Sequence, residues 1–480
     1  MNKKIRFHPI RRLRCTPSSA FFAFTEKIMK NVKYFILFFA LLVSGNFLNA
    51  SVVSPPSRNY QRITVEDSHA AKFGLKVLRS ERLTLVTDME ITSAVKHLSK
   101  AVDAAYSRLC AYFGIPEDDA WRMTAFLMKD KKPFVEAGYF PAALPAFKDG
   151  FAWNSDCWLY DQPSDYYRQH LLIHEMTHCF MLTTVGNVGP LWMTEGFAEF
   201  FGMHEMSADG VKFGIMPPNK ESVPFCARIR ELRDETAAGR ARTLWEVMRM
   251  NYDAFQNNEV YVWSWAAMWF LANHPDTKKP LAEAGRALRD SRAGGEKITD
   301  DFLKSLGEKL PEIEKHWMMF VAALDYGFSL EPMLFDAANG EPLDAGEKEI
   351  VIIRADHGWQ NSGIRVEKGD SLRIRALGAY ELGNPGEKSW PCEPGGVSIR
   401  YFRGNPRGML LAAVCPDETW PEDFRNRTPG TFFSPISVGL QKTFTAEVSG
   451  TLMFQINDSP RNFENNSGTL KAEVLNQGTR

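Results

Sequence analysis

HLLIHEMTHCFMLTTVGNVGPLWMTEGFAEFF, residues 170–201, is the stretch from which the rest of the chain is read. Within it, His174-Glu175-Met176-Thr177-His178 fits H-E-x-x-H. Residues four apart on an α-helix share a face, so His174 and His178 can present both imidazoles to one metal ion. Glu175 then projects beside them, where a carboxylate can take a proton from water. The local sequence predicts the helix: Leu171, Leu172, Ile173, Met176, Phe180 and Met181 supply apolar positions, and no Pro or Gly intervenes before Gly186. His170, one turn before His174 on the same face, is a candidate for contact with the ligands or with substrate.

Zinc held in this way needs a third protein ligand. After Gly186, Gly189 and Pro190, a second helical run, WMTEGFAEFF (192–201), is expected to return and pack antiparallel. Sixteen residues separate His178 from Glu195, enough for a loop and that return. Glu195 and Glu199 lie one turn apart on it; Glu199 either orients a ligand histidine or closes a surface salt bridge.

At these residues the chain resembles the gluzincins, zinc peptidases of the HExxH plus Glu type. It resembles more closely the peptidase MA-like bacterial group, whose second motif reads EGxAE(F/Y). The resemblance implies Glu195 as third zinc ligand with His174 and His178, water in the fourth position, Glu175 as general base and a peptide bond as the target. The spacer is shorter than in gluzincin aminopeptidases, so endo- and exopeptidase action both stay open. A metzincin is excluded: Met181 stands where its Gly belongs and Thr184 where its third His belongs.

The chain of 480 residues is 44% hydrophobic and 24% charged, an ordinary globular composition with room for two or three domains. A net charge of −1 gives no reason to expect nucleic acid or an anionic membrane surface as partner. Residues 1–50 read as a targeting segment. Lys30 and Lys33 precede the apolar run YFILFFALLV (34–43), too short to span a bilayer comfortably, and Ala50 suits cleavage. Met29 is an alternative start. Export from a bacterial cell is therefore expected, with no transmembrane anchor left after signal removal. Of seven cysteines, six follow this segment, and Cys392 with Cys415 is the expected pair in an oxidising compartment.

Residues 51–330 are expected to form an α+β zincin-like domain, with the motif helix near 170–183 and a helical second half over 190–325. Strands are predicted at Leu83–Val86, Trp121–Met128 and Gly150–Tyr160, with an amphipathic helix over Ile91–Phe113. By the resemblance, Gly150–Trp158 is the edge strand along which peptide lies. The aromatic run YVWSWAAMWFL (261–271) is expected behind the site, and the resemblance assigns Tyr261 to the oxyanion, with core packing as the alternative.

Gly and Pro gather over 331–346, read as a linker. Beyond it, over 347–480, short strands alternate with turns (EIVIIRA, GIRVEKGD, LRIRALG, FTAEVSG, TLMFQIND, TLKAEVL), the pattern of an all-β sandwich. There INDSPRNFENNSG (456–468) resembles the calcium site of the bacterial galactophilic lectins. The resemblance implies calcium held by Asp458, the carbonyl of Asn462, Asn465, Asn466 and a further carbonyl near Leu382, with sugar hydroxyls completing the shell. Around Trp390, Pro391 and Cys392 the two patterns differ. The sequence is thus read as an exported zinc metallopeptidase acting on peptide or protein, glycosylated or not. Its sandwich domain would dock on a galactose-type or other glycan. The alternative is a surface carbohydrate-binding protein whose zincin half is inactive or structural.

Overall fold

Ser164 starts the motif helix: its Oγ accepts from the Tyr167 N–H at 3.0 Å, satisfying one of the free amides of the first turn, and Asp165 adds a favourable charge there. The helix runs Asp165–Phe180, widens into a π turn over Met181–Val185 and ends at Gly186, whose φ of 78° suits a residue without Cβ. The computed structural model describes residues 61–207, 210–251, 258–384, 388–417 and 434–479; the targeting segment expected over 1–50 lies outside the described residues.

In chain order, α1 (Asp67–Lys72) leads into β1 (Lys76–Arg79) and β2 (Leu83–Thr87). Next, α2 (Ser93–Phe113) crosses to β3 (Met123–Met128), and short α3 (Lys132–Glu136) precedes β4 (Gly150–Trp153) and β5 (Asp156–Tyr160). The motif helix is α4, followed by α5 (Leu191–Gly202), the hairpin β6 (His204–Ser207) and β7 (Gly210–Phe213), and α6 (Arg228–Ala237). Then come α7 (Leu244–Met248), α8 (Glu259–Asn273), α9 (Lys278–Ala287), α10 (Gly295–Leu306) and α11 (Leu310–Ala323).

The first five strands form one sheet in the order β1-β2-β3-β5-β4, with β2, β3 and β5 parallel and the two edge strands antiparallel to their neighbours. The single strand predicted over Gly150–Tyr160 is therefore a hairpin. It turns at Asn154, whose φ of 54° is tolerated because the short amide side chain adapts to the left-handed region. Only β4 lies at the edge; Cys157 and Trp158 are interior, on β5.

Helix α8 is apolar nearly all round and buried at Val260 and from Val262 to Leu271, with Tyr261 half-buried. It packs against α5, and Gly196 permits the approach: a Cβ there would lie 3.0 Å from Met268 Cε and 3.1 Å from the Ser264 carbonyl.

The C-terminal part is β-rich. Its strands are β8 (Glu341–Pro342), β9 (Lys348–Arg354), β10 (Gln360–Val366), β11 (Asp370–Leu377), β12 (Tyr380–Leu382), β13 (Trp390–Cys392), β14 (Val397–Phe402) and β15 (Asn405–Arg407). They continue with β16 (Leu410–Pro416), β17 (Ile436–Ser437), β18 (Gln441–Thr445), β19 (Gly450–Ile456) and β20 (Ser467–Thr479). One sheet runs β17-β16-β19-β10-β8; the other runs β13-β12-β20-β11-β18, with β9 also paired to β20. On β11, Leu372, Ile374 and Ala376 are buried while Arg373 and Arg375 are exposed, the alternation of a sheet with one covered face. The stretch FTAEVSG divides, because β18 ends at Thr445 and β19 begins at Gly450.

Residues 331–346, read as a linker, are packed at several points. Met333 and Phe335 are buried, the Phe335 carbonyl lies 2.7 Å from His316 Nε2 on α11, and β8 pairs in parallel with β10. The tip of the β14–β15 hairpin also reaches the helical half: Arg403 donates to the Leu324 carbonyl at 2.9 Å and to the Ala322 carbonyl, capping the end of α11. The expected Cys392–Cys415 pair is absent. Cys392 lies on the sheet with β12, Cys415 on the sheet with β19, and all six described cysteines are buried thiols. Among the described residues, no helix is long and apolar enough to cross a membrane.

Candidate metal centre

Helices α4 and α5 pack together and bring three donor atoms to one point. His174 Nε2 and His178 Nε2 are 3.1 Å apart, and Glu195 Oε2 lies 3.4 Å from the first and 3.6 Å from the second. Four ligands held tetrahedrally at about 2.0–2.1 Å from zinc stand about 3.3–3.4 Å from one another. The triangle has that size.

The polar bookkeeping also calls for a cation. Both Glu195 oxygens are buried and, at such separations, lack a hydrogen bond; His178 Nδ1 is likewise without one. Two imidazole nitrogens 3.1 Å apart in a buried site repel unless a proton or a metal ion lies between them. Burial opposes charge on His174, but the Glu195 and Glu199 carboxylates outweigh it and push the imidazole up to about 10. Burial likewise opposes ionisation of Glu195, and the two imidazoles prevail and hold its carboxyl below the usual range. His174, His178 and Glu195 could thus hold a metal ion.

Glu199, one turn beyond Glu195, is buried rather than on the surface. Its Oε1 is 3.2 Å from His174 Nδ1, and Arg228 from α6 grips it with two hydrogen bonds, Nε to Oε2 at 2.8 Å and Nη2 to Oε1 at 2.7 Å. Burial opposes its charge, yet chiefly the Arg228 guanidinium keeps the Glu199 carboxyl well below the carboxylate range. An Nδ1 facing an ionised carboxylate carries the proton, which leaves Nε2 as the lone pair for a metal. His170 is buried with its Nε2 3.4 Å from Glu199 Oε2, in space that exists because residue 202 is glycine: a Cβ there would lie 2.8 Å from the ring. His170 therefore lies behind the ligands beside Glu199, with neither ring nitrogen hydrogen-bonded. Tyr261 stands beside the site, its ring centroid 5.9 Å from that of His174 and 5.5 Å from the Arg228 guanidinium carbon.

Glu175 is buried, and burial raises its carboxyl above the ordinary value against the pull of the two histidines. Its position depends on Gly150 at the start of edge strand β4: a Cβ on residue 150 would lie 2.3 Å from Glu175 Oε1. Neither Gly150 nor Arg228 carries a local sequence signal, since each meets the motif only through tertiary packing. Gly150→Ala is expected to retain bound metal and lower kcat about 10²-fold by displacing the carboxylate. Metal content and kcat measured on one preparation check this, and an Ala variant at wild-type kcat would show that Glu175 is not held by the glycine.

The second expected site differs. Asp458 Oδ1 accepts from Arg407 Nε at 2.8 Å and Oδ2 from Arg407 Nη2 at 2.9 Å. Arg407 Nη2 also donates to the Gly383 carbonyl at 2.7 Å, the residue after Leu382, and Nη1 to Asn384 Oδ1 at 2.7 Å. Asn466 Nδ2 donates to Asp458 Oδ2 at 3.0 Å, and Asn462 Nδ2 to Oδ1 at 3.3 Å. The Asn462 carbonyl accepts from the Asn465 N–H at 2.9 Å, and Asn465 is exposed. The calcium expected on Asp458, Asn462, Asn465, Asn466 and Leu382 does not fit, because a guanidinium already lies among these oxygens and donors face the carboxylate.

Residues 169–284 match the family described as "Protein of unknown function (DUF1570)", a span holding every residue of the first site except Gly150. No curated protein matches. Among solved structures, "EclA N-terminal domain; PllA-like lectin" is similar at 20% identity over 26% of this chain and 94% of that one, with a TM-score of 0.19. "Structure of IMPa from Pseudomonas aeruginosa in complex with an O-glycopeptide" is similar at 10% identity over 83% of this chain, with a TM-score of 0.17. The chain spans 37% of the length of that second protein.

Proposed function

We propose that residues 61–330 carry a zinc-dependent peptidase of the gluzincin type, with zinc on His174, His178 and Glu195. The observation that carries this is the buried donor triangle at 3.1, 3.4 and 3.6 Å, whose Glu195 oxygens have no hydrogen-bond partner within the protein. Zinc, when bound, supplies Lewis acidity, acidifying water and polarising a carbonyl.

The chain's own groups do the rest. Glu175, buried and raised in its carboxyl, accepts a proton from the attacking water and returns it to the amine as the C–N bond breaks. Arg228, through Glu199, keeps the His174 proton on Nδ1. Edge strand β4 starts at the residue that touches Glu175, so a peptide paired along β4 brings a backbone carbonyl toward the base. Tyr261, beside His174, is the candidate donor to the developing oxyanion. Export and a protein substrate accord with this reading. Glycan capture by residues 347–480 through calcium is left out of it, since Arg407 occupies the oxygens concerned.

The purified protein is expected to hold one zinc per chain and to hydrolyse peptides in a random library, losing activity to a chelator and regaining it with zinc. Elemental analysis beside mass spectrometry of the products checks both. A zinc-loaded protein that cuts no peptide would favour a structural role for the site.

A further inference from the structure

The loop cluster at one end of the β-rich part has the composition of a cation site and contains a cation that belongs to the chain. Asp458 and Asn466 are buried, and Arg407 is 8% exposed. The Asp458 carboxylate accepts from five donors: Arg407 Nε and Nη2, the Ser459 N–H, Asn462 Nδ2 and Asn466 Nδ2. A carboxylate offers about four lone-pair positions, so no capacity remains for a metal. The Asn466 amide is turned with its NH₂ toward Asp458, and its oxygen accepts from the Gly383 N–H at 2.9 Å. That orientation suits a carboxylate already neutralised and opposes a metal, which would require the oxygen.

Two further guanidinium donors meet two further oxygens of the cluster, the Gly383 carbonyl and Asn384 Oδ1. Gly383 makes this possible: a Cβ there would come within 1.9 Å of the Asn465 carbonyl, so only glycine lets the two loops close on the arginine. The loops after β12 and β19 and strand β15 thus converge on one planar cation. A planar fork with five donors satisfies a carboxylate and two further oxygens in a way that a single ammonium cannot.

We infer that the Arg407 guanidinium is the resident cation of this cluster, occupying the position its oxygens would otherwise offer to a divalent ion, and that the β-rich part is built without calcium. A buried carboxylate needs a counter-charge, and the chain supplies it covalently. The loops are therefore held in calcium-free surroundings as firmly as in calcium-rich ones.

The test uses the full chain dialysed against millimolar calcium and then against metal-free buffer, with calcium counted by elemental analysis. The wild type is expected to retain none. Arg407→Ala empties the guanidinium position and leaves Asp458, the Gly383 carbonyl and Asn384; it is expected to retain one calcium per chain, lost again in the double variant Arg407→Ala/Asp458→Asn. Stoichiometric calcium in the wild type overturns the inference, and so does a folded Arg407→Ala protein that holds none. Should Arg407→Ala not fold, Arg407→Lys decides. It keeps a charge but not the fork, so it is expected to melt several degrees below wild type and bind no calcium; a Lys variant that melts with the wild type or binds calcium overturns the inference.

Discussion

Glu175→Gln is expected to keep its zinc and lose about 10²–10⁴-fold in kcat, the usual contribution of a positioned proton acceptor. The amide fills the same volume against Gly150, so the packing that places residue 175 is retained and only the basic oxygen is lost. Glu175 is not a member of the donor group His174, His178 and Glu195, which is why metal content and turnover should separate. Zinc per chain and steady-state hydrolysis are measured on the same preparation. Near wild-type turnover would remove Glu175 from the mechanism, whereas loss of zinc together with activity would make it a ligand.

The second large effect separates Glu195 from Glu199. Glu195→Ala deletes one corner of the donor triangle and leaves two imidazole Nε2 atoms 3.1 Å apart with no carboxylate beside them. It is expected to abolish stoichiometric zinc. Glu199 stands outside the triangle of His174, His178 and Glu195, and its loss is expected to cost about 10–100-fold in affinity or activity by freeing the orientation of His174. Here the choice of substitution matters. Glu199→Ala would leave the buried Arg228 guanidinium with only Glu231, at 3.4 Å, as a carboxylate partner, and is expected to cost stability as well as affinity. Glu199→Gln keeps a hydrogen-bond partner for Arg228 and is the variant to compare. Titration with a competing chelator ranks the proteins, and equal zinc retention by Glu195→Ala and wild type would overturn the assignment of the third ligand.

Much of the first site is local and so was legible in the chain. A histidine pair four apart needs only helical geometry to share a face, and the helix is announced by the apolar positions around His174 and the lack of Pro or Gly before Gly186. Glu195 is less local, but the glycine and proline of the turn and the EGFAE run make a return helix hard to avoid. The predicted strand over Gly150–Tyr160 failed at one residue. Asn154 turns the chain back, and nothing in GFAWNSDCWLY separates an interrupted strand from a continuous one without knowledge of the partner strand. Over 331–346, Gly and Pro mark irregular backbone, but not that part of it, at Met333 and Phe335, is buried.

The sequence by itself determined the chemistry of the donor set, the helix that presents it and the change from helical to β-rich structure near residue 340. These follow from periodicity and residue type, which act over one or two turns. Only the tertiary structure decided the rest. It brought Gly150 against Glu175 and Arg228 onto Glu199, and it filled the Asp458 cluster with Arg407, a residue 51 positions away in the chain. The physical reason is common to all three. A buried charge must find its counter-charge, and a side chain its space, wherever the fold delivers them. Spacing along the chain does not record where that is.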